Sequence, residues 1–494
     1  MSIIDRATSR SQTENVEEFL QTESTSLPSE RLEYVDAWGG ASGDMCYVYR
    51  PTNVDEIRAL FHKARETGTS VGFRGAGNSY GDAAINSEGI VINLRRMNRI
   101  LEWNPESGMV TLEPGVTIED LWKYIIEDGW WVPIATGTAK TSIGGCAAMN
   151  VHGKNAWQIG PIGEHIFQFE LLLPSGDIVT CSRDENSDLF FAAIGGFGML
   201  GCLTSITLKM KRIYSGNLRV EALLARNMNE MLALIDEHAR RSNYVVGWTD
   251  AFASGKRLGR GQIHVAHYLP PEADAQPHQT LQPQYQVPRD VLFGVLPASL
   301  MWMFMRPFWN NLGTRLVNTG KYLASKVGDG KVYRQSHAQF HFLLDYVPNW
   351  KRAYGPGGLI QYQPFVPFAE ADTAFCRLLE LGQKHGLPNY LTVIKRHRPD
   401  PFLMTHGLDG FSMAMDFRIT KRNRQRIAQL CREMDAIILS HGGKFYFAKD
   451  STLRPEVVEQ SLGSETIERF RTLKQKYDPD GLLETNLWRR IFPN

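Results

Sequence analysis

Along the chain, apolar positions fall mostly into short runs of period two, broken by glycine and proline, with helical stripes spaced between them. A strand at 47–50 leads through Pro51 and Asn53 into VDEIRALFHKARETG, where Val54, Ile57, Leu60, Phe61 and Ala64 share one helix face. Further short strands are predicted at 70–73, 89–93, 100–103, 109–112, 167–173, 177–180 and 203–210, with helices at 118–128, capped by Thr117, and at 141–149. From about 218 the texture changes. A helix at 229–241 precedes strands at 243–249 and 261–268, and a Pro/Gln-rich connection fills 269–288. Strands at 358–364, 391–395 and 412–417 then alternate with helices at 370–384 and 422–439, and a strand at 442–450 and a helix at 465–477 follow. Many short strands and few long helices make this an α+β chain, its second part an antiparallel sheet carrying helices.

Two glycine-rich stretches interrupt the rhythm. Residues 133–163 hold five glycines between Gly137 and Gly160, small side chains at 146–148, and one histidine, His152. The turn RGAGNSYGD at 74–82 follows directly on a predicted strand. It lacks the lysine of a Walker A loop and the third glycine of a dinucleotide fingerprint, but it offers a nest of backbone amides suited to a pyrophosphate. Glycine permits close backbone approach, so two such turns point to a bound ligand.

A chain of 494 residues predicts two or three domains, and a net charge of +1 argues against a nucleic-acid or acidic-polymer partner. Six cysteines without metal-ligand spacing fit reduced thiols, so neither disulfides nor structural zinc are expected. The first residues carry charges where a secretory signal needs an apolar core, which predicts a cytoplasmic protein rather than a secreted one. The strongly apolar stretch at 291–309 is broken by Pro297 and Arg306 and falls short of a membrane span. It reads as a buried helix or as a segment facing a membrane surface or lipid substrate.

The segments at 74–82, GVTIEDLWKYIIEDGWWVP at 115–133, GTAKTSIGGCAAMNVHGKN at 137–155, GPIGEHI at 160–166 and GGFGMLG at 195–201 resemble the FAD domain of the vanillyl-alcohol-oxidase-like, PCMH-type flavoprotein superfamily. RAYGPGGLIQYQ at 352–363, the strand ending in Lys395, MDF at 415–417 and KFYFAKDS at 444–451 are similar to its branch of decaprenylphosphoryl-β-D-ribose 2-oxidases. The likeness extends over most of 32–490.

The resemblance implies a two-lobed FAD-binding domain at 25–217, completed by a C-terminal segment at 444–494 that returns to it. An antiparallel-sheet substrate domain at 218–443 is enclosed between them, and a flexible arm occupies 1–24. FAD would be held without a covalent bond, since Asn78 stands in the turn where some members attach the flavin through histidine. The implied reaction is oxidation of the 2-hydroxyl of a polyprenylphosphoryl ribose by hydride transfer to flavin N5, with quinone or oxygen as electron acceptor. A separate NADH-dependent short-chain reductase would complete epimerisation to arabinose for cell-wall arabinan. A lipid-linked substrate also implies peripheral contact with the inner membrane through 291–309.

Cofactor contacts are implied at Arg74, Gly75, Ala76, Gly77, Asn78, Ser79 and Tyr80 in the first turn. In the second stretch they fall at Gly137, Thr138, Thr141, Ser142, Gly144, Gly145, Cys146, Asn150, His152, Gly153 and Asn155, with Gly198, Gly201, Ile206 and Tyr446 beyond it. Lys449 is the leading catalytic residue, because the apolar-aromatic strand KFYFAK would desolvate a lysine and lower its pKa. Tyr80, Lys395 and Gln361 join it, and His152, Tyr354, Gln361, Gln363, Lys395, Ala414 and Lys449 make up the substrate set. Ala414 departs from mycobacterial members of the branch, which carry there a cysteine that reacts with nitroaromatic inhibitors. A methyl group cannot form that bond, while hydride transfer does not need it. Alternatives are an oxygen-using alditol or aldonolactone oxidase, whose HWGK-like signature is missing, and a berberine-type oxidase, whose bicovalent histidine and cysteine are missing. A non-catalytic binding protein on the same scaffold would be colourless.

Overall fold

The computed structural model describes residues 26–287, 291–292, 296–345 and 347–493, so the expected arm at 1–24 lies outside the described residues. Three large sheets organise the chain. In the first, Leu32–Asp36 pairs antiparallel with Gly43–Tyr49, and Ile90–Asn93 lies parallel between Gly43–Tyr49 and Val71–Arg74. Parallel strands need a crossover, and the helix Val54–Glu66 supplies it. Asn53 caps that helix by accepting from Glu56 N, and Ile57, Leu60, Phe61 and Ala64 are buried as the stripe predicts. The second sheet is antiparallel, in the order Ile100–Asn104, Met109–Leu112, Cys202–Lys209, Ile166–Leu172, Ile178–Ser182. Thr117 and Asp120 form a reciprocal capping box at the start of Ile118–Ile125, which ends before the predicted 128, ahead of left-handed Gly129 (φ 77°).

Among the described residues the third sheet has nine strands. Lys331–Ser336, Asn217–Ala225, Gly261–Tyr268, Tyr244–Thr249, Leu391–His397 and Gly410–Arg418 follow one another, and both Leu359–Tyr362 and Pro364–Pro367 pair with Gly410–Arg418. Alternation divides its residues between two faces. Ile394, Phe411, Met413, Met415 and Phe417 are buried in the main hydrophobic core with Met231, Ile235, Leu378 and Leu430 from the helices Met228–Ala239, Ala371–Lys384 and Arg424–Ser440. Gly247 permits that packing: a Cβ there would sit 2.7 Å from Met231 Sδ and 2.8 Å from Ile235 Cδ1. The other face carries polar residues in register. His264 pairs with Val246, Lys395 with Ser412, Val393 with Ala414, and Gln361 with Asp416.

Of the strand expected at 442–450, only Lys444–Phe445 is extended; it pairs with Pro364–Pro367 at the edge of the third sheet. Beyond it the chain turns back to the first glycine turn, where Tyr80 N donates to Ala448 O at 2.9 Å. Nearer the C-terminus the backbone bonds to the first sheet, Val71 N to Leu482 O at 2.8 Å and Glu484 N to Val71 O at 2.9 Å.

The apolar stretch at 291–309 corrects the buried-helix reading. Side chains at 291–296 lie outside the described residues, and the remainder is divided among Ala298–Leu300, Met301–Met305 and Arg306–Phe308, with Pro297 and Pro307 interrupting it. Met303 and Phe304 are 53% and 58% exposed. The 269–288 connection contains the short helices Pro277–Thr280 and Pro283–Gln286. A 17-residue helix, Asn311–Val327, which the apolar pattern did not announce, follows with reversed polarity. Its buried Asn318 donates to Asp250 Oδ1 at 3.2 Å and Tyr322 stacks under Arg260, while Leu312, Leu316, Leu323 and Val327 face outward.

Candidate active site

A cavity of about 590 Å³ opens between the two glycine stretches and the polar face of the third sheet. The strand Val71–Arg74 delivers the first turn to one wall, and Gly75 through Tyr80 line it. Gly137, Thr138, Thr141, Ser142, Gly144, Gly145, Cys146 and His152 line the wall beside it, with Gly198, Gly201 and Tyr446. Ser142 ties the two stretches together, because Ala76 N donates to its Oγ at 3.0 Å. That contact needs glycine at 75, where a Cβ would lie 2.1 Å from the same oxygen.

Other residues expected at the cofactor brace this wall from behind and do not line the cavity. Arg74 donates to Asp36 O at 2.9 Å, and Asn150 Oδ1 accepts from Gly163 N at 3.1 Å. Asn155 donates to Pro133 O at 2.7 Å, and Gly153 packs against the backbone of Ala135. Ile206 is fully buried in its strand. Tyr354 also stands apart, buried against Trp309 and Trp350.

From the third sheet, Gln361, Gln363, Lys395 and Ala414 reach the cavity, joined by Lys449 from the returning segment. Lys449 Nζ lies 3.8 Å from the centre of the Tyr80 ring, a cation–π contact that fixes the lysine over the first turn. Burial pushes its ammonium well down from the usual lysine range; the nearby Asp416 carboxylate works against this and Lys395 reinforces it. Burial likewise raises the Asp416 carboxyl, which accepts the side-chain amide of Gln361. Its second oxygen, Oδ2, is buried without a hydrogen-bond partner. Lys395 is lowered to about 8 by burial.

His152 is held neutral, its pKa driven well down by burial and then by Lys395. Gln363 Nε2 can only donate, and it reaches both His152 Nε2 at 3.0 Å and Ser412 Oγ at 3.3 Å. The His152 proton therefore belongs on Nδ1, which is buried without a partner. Asn78 Nδ2 and Thr141 Oγ1 are likewise buried and unpartnered, both on residues that line the glycine-rich wall. Buried polar groups of this kind call for a ligand. Neutral donors, glycine-bared backbone and an apolar floor fit a flavin dinucleotide, and Gly75 to Tyr80, Thr141 and His152 are the residues that would hold it.

Lys154, Trp248, His264 and Lys321 also line the cavity and were not expected there. Lys154 lies one residue past the glycine next to His152, and its Nζ donates to His341 O at 2.8 Å and to Phe340 O. Asp416 was legible in part, since period two puts it on the same strand face as Ser412 and Ala414. Lys321 carries no such signal. Among the described residues no carboxylate lines the cavity, whereas four lysines do: Lys154, Lys321, Lys395 and Lys449.

Residues 46–182 match a family described as FAD binding domain. The chain is 28% identical over 463 residues to the decaprenylphosphoryl-beta-D-ribose oxidase of Mycolicibacterium smegmatis, covering 92% of this chain and 96% of that protein. Likeness to the L-gulonolactone oxidase of Mus musculus, 27% over 205 residues, covers 42% of this chain and 45% of the relative. For the D-arabinono-1,4-lactone oxidase of Yarrowia lipolytica it is 27% over 195 residues, covering 38% and 37%.

Proposed function

We propose that this chain, an FAD-dependent oxidoreductase of the PCMH-type flavoprotein family, oxidises the 2-hydroxyl of a polyprenylphosphoryl ribose to the 2-keto sugar. The observation that carries this reading is convergence. Lys449, Gln361, Gln363 and Lys395 all lie outside the FAD-binding stretch 46–182, yet they line one cavity with the glycine turns. The sequence likeness spans nearly the whole chain for the ribose oxidase and less than half of it for the lactone oxidases.

Bound FAD would supply the two-electron acceptor, held without a covalent bond. Lys449, its ammonium pushed down to about 7 by burial, takes the proton of the reacting hydroxyl in its free-amine form. Gln361, fixed by its bond to Asp416, and Lys395 orient the sugar, while Tyr80 holds Lys449 in place. His152, neutral and pinned by Gln363, positions the flavin. The keto sugar would pass to a separate NADH-dependent short-chain reductase, with quinone or oxygen as the final electron acceptor.

Contact with an anionic bilayer accompanies this role. Among the described residues no helix is long and apolar enough to cross a membrane. Met303, Phe304, Phe308, Leu312 and Leu316 are nevertheless all at least 49% exposed. From Pro297 through Arg334 the sequence has six Lys and Arg residues and one acid, Asp329. Around this surface the proposed domain scheme of 25–217 and 444–494 about 218–443 keeps the cavity at the junction.

The reaction is tested by mixing the holoenzyme anaerobically with farnesylphosphoryl ribose, with alditols and with aldonolactones, following flavin absorbance. Bleaching by farnesylphosphoryl ribose is expected. Reduction by an alditol or lactone alone would overturn the reading.

A further inference from the structure

The cavity holds more positive charge than the flavin wall and the reacting hydroxyl account for. Lys449 serves the chemistry over Tyr80, and Lys154 spends its donors on two backbone carbonyls. Lys395 and Lys321 remain. Among the described residues neither has an acid or carbonyl acceptor, yet both point into the cavity. Lys321 lies on the helix Asn311–Val327, docked to the sheet through Asn318 on Asp250 and Tyr322 under Arg260. Asp250 and Arg260 are themselves a buried ion pair at 2.8 Å, so the helix rests on a fixed support. Lys321 Nζ lies 3.9 Å from the centre of the Trp248 ring, on a residue that is exposed as a whole. His264 stands on the same sheet face and is lowered to about 4 by burial, then by Lys321 and Lys154. Cations gathered this way without a carboxylate repel one another until an anion joins them.

We propose that Lys321, stacked on Trp248 beside His264, forms a phosphoryl-binding subsite on the solvent side of the cavity that takes the phosphate joining lipid and sugar. The proposal rests on the reading of the substrate given above and adds the place where its charge is bound. A phosphate accepts from a lysine ammonium and a histidine N–H together, and Trp248 limits the tilt of the lysine.

The holoenzyme is titrated calorimetrically with farnesyl phosphate, farnesol and inorganic phosphate. Farnesyl phosphate is expected to bind more tightly than either of the others. Lys321→Met is expected to weaken farnesyl phosphate by about tenfold or more, to leave farnesol unchanged and to keep the flavin spectrum. Lys321→Arg restores most of the affinity. Equal binding of farnesyl phosphate by the wild type and Lys321→Met would overturn the subsite. Competition by inorganic phosphate as effective as farnesyl phosphate would overturn its assignment to a lipid-linked group. Binding is read without turnover, so a wild type that binds farnesyl phosphate through Lys321 but is not bleached by farnesylphosphoryl ribose refutes the oxidation and leaves the subsite standing.

Discussion

Arg490 joins the last helix to both stretches of chain that flank Lys449, the proposed base, and replacing it by methionine tests how the site is kept closed. Its guanidinium donates to Asp82 at 2.7 and 2.9 Å, to Asp450 at 2.8 Å and to Leu453 O at 2.6 Å. Asp82 ends the first glycine turn, and Asp450 follows Lys449 directly. Removing one partner of a buried pair costs about 3–5 kcal/mol. Two features favour the low end of that range. Asp82 is 18% exposed and recovers water, and Asp450 keeps two amide donors, Thr452 N at 2.8 Å and Leu453 N at 2.9 Å. A loss of about 3 kcal/mol follows for Arg490→Met. Adding Asp450→Asn removes one stranded charge and is expected to return about 1 kcal/mol. Urea unfolding followed by tryptophan fluorescence gives the stabilities, and thermal release of flavin fluorescence reports the cofactor wall. If Arg490→Met unfolds within about 1 kcal/mol of the wild type and releases flavin at the same temperature, the clamp does not hold the site.

Other predictions address the chemistry and the cradle. Because burial lowers Lys449, the free amine is present near neutrality, and flavin bleaching is expected to rise with pH as the remaining ammonium is lost. Lys449→Met removes that rise and slows bleaching by about 10²–10⁴-fold; Asp416→Asn, which deletes a charge favouring the ammonium, moves the rise to lower pH. Gly75→Ala drives a Cβ into Ser142 Oγ and is expected to yield protein depleted of FAD, whereas Gly75→Ala with Ser142→Ala, where the next atom is 3.3 Å away, regains yellow colour. Vesicles rich in phosphatidylserine are expected to sediment the protein, and Phe304→Ser with Leu316→Ser to abolish it; equal sedimentation of both proteins counts against membrane contact.

The two glycine walls were legible because their chemistry is local: backbone that must approach a ligand bares itself of side chains within a few residues. The sheet strands were legible through period two, and with them the face shared by Lys395, Ser412 and Ala414. The helix Asn311–Val327 was not. Its leucines keep a helical spacing but point to solvent while Asn318 is buried, so the usual link between apolar stripe and core is reversed. Arg490 was equally hidden, since nothing near it in sequence marks a partner such as Asp82. Arg74, Asn155 and Tyr354 show the complementary limit. Residue type and position place them near the site, but only the packing decides whether a side chain faces the cavity or braces its wall.

That clamp also sets a timetable for the newborn chain. Asp82 and Arg490 are separated by 408 positions, and the strand Val71–Arg74 receives its backbone partner Leu482 equally late. At roughly 5–20 residues per second, a ribosome needs about 20–80 s to deliver the second half of each contact. Until then the first glycine turn has no Ala448 carbonyl to bond and no Lys449 above Tyr80. The cofactor cradle is thus written first and finished last, and messages truncated within the final helix would give chains able to build most of the sheets but unable to close the site around a flavin.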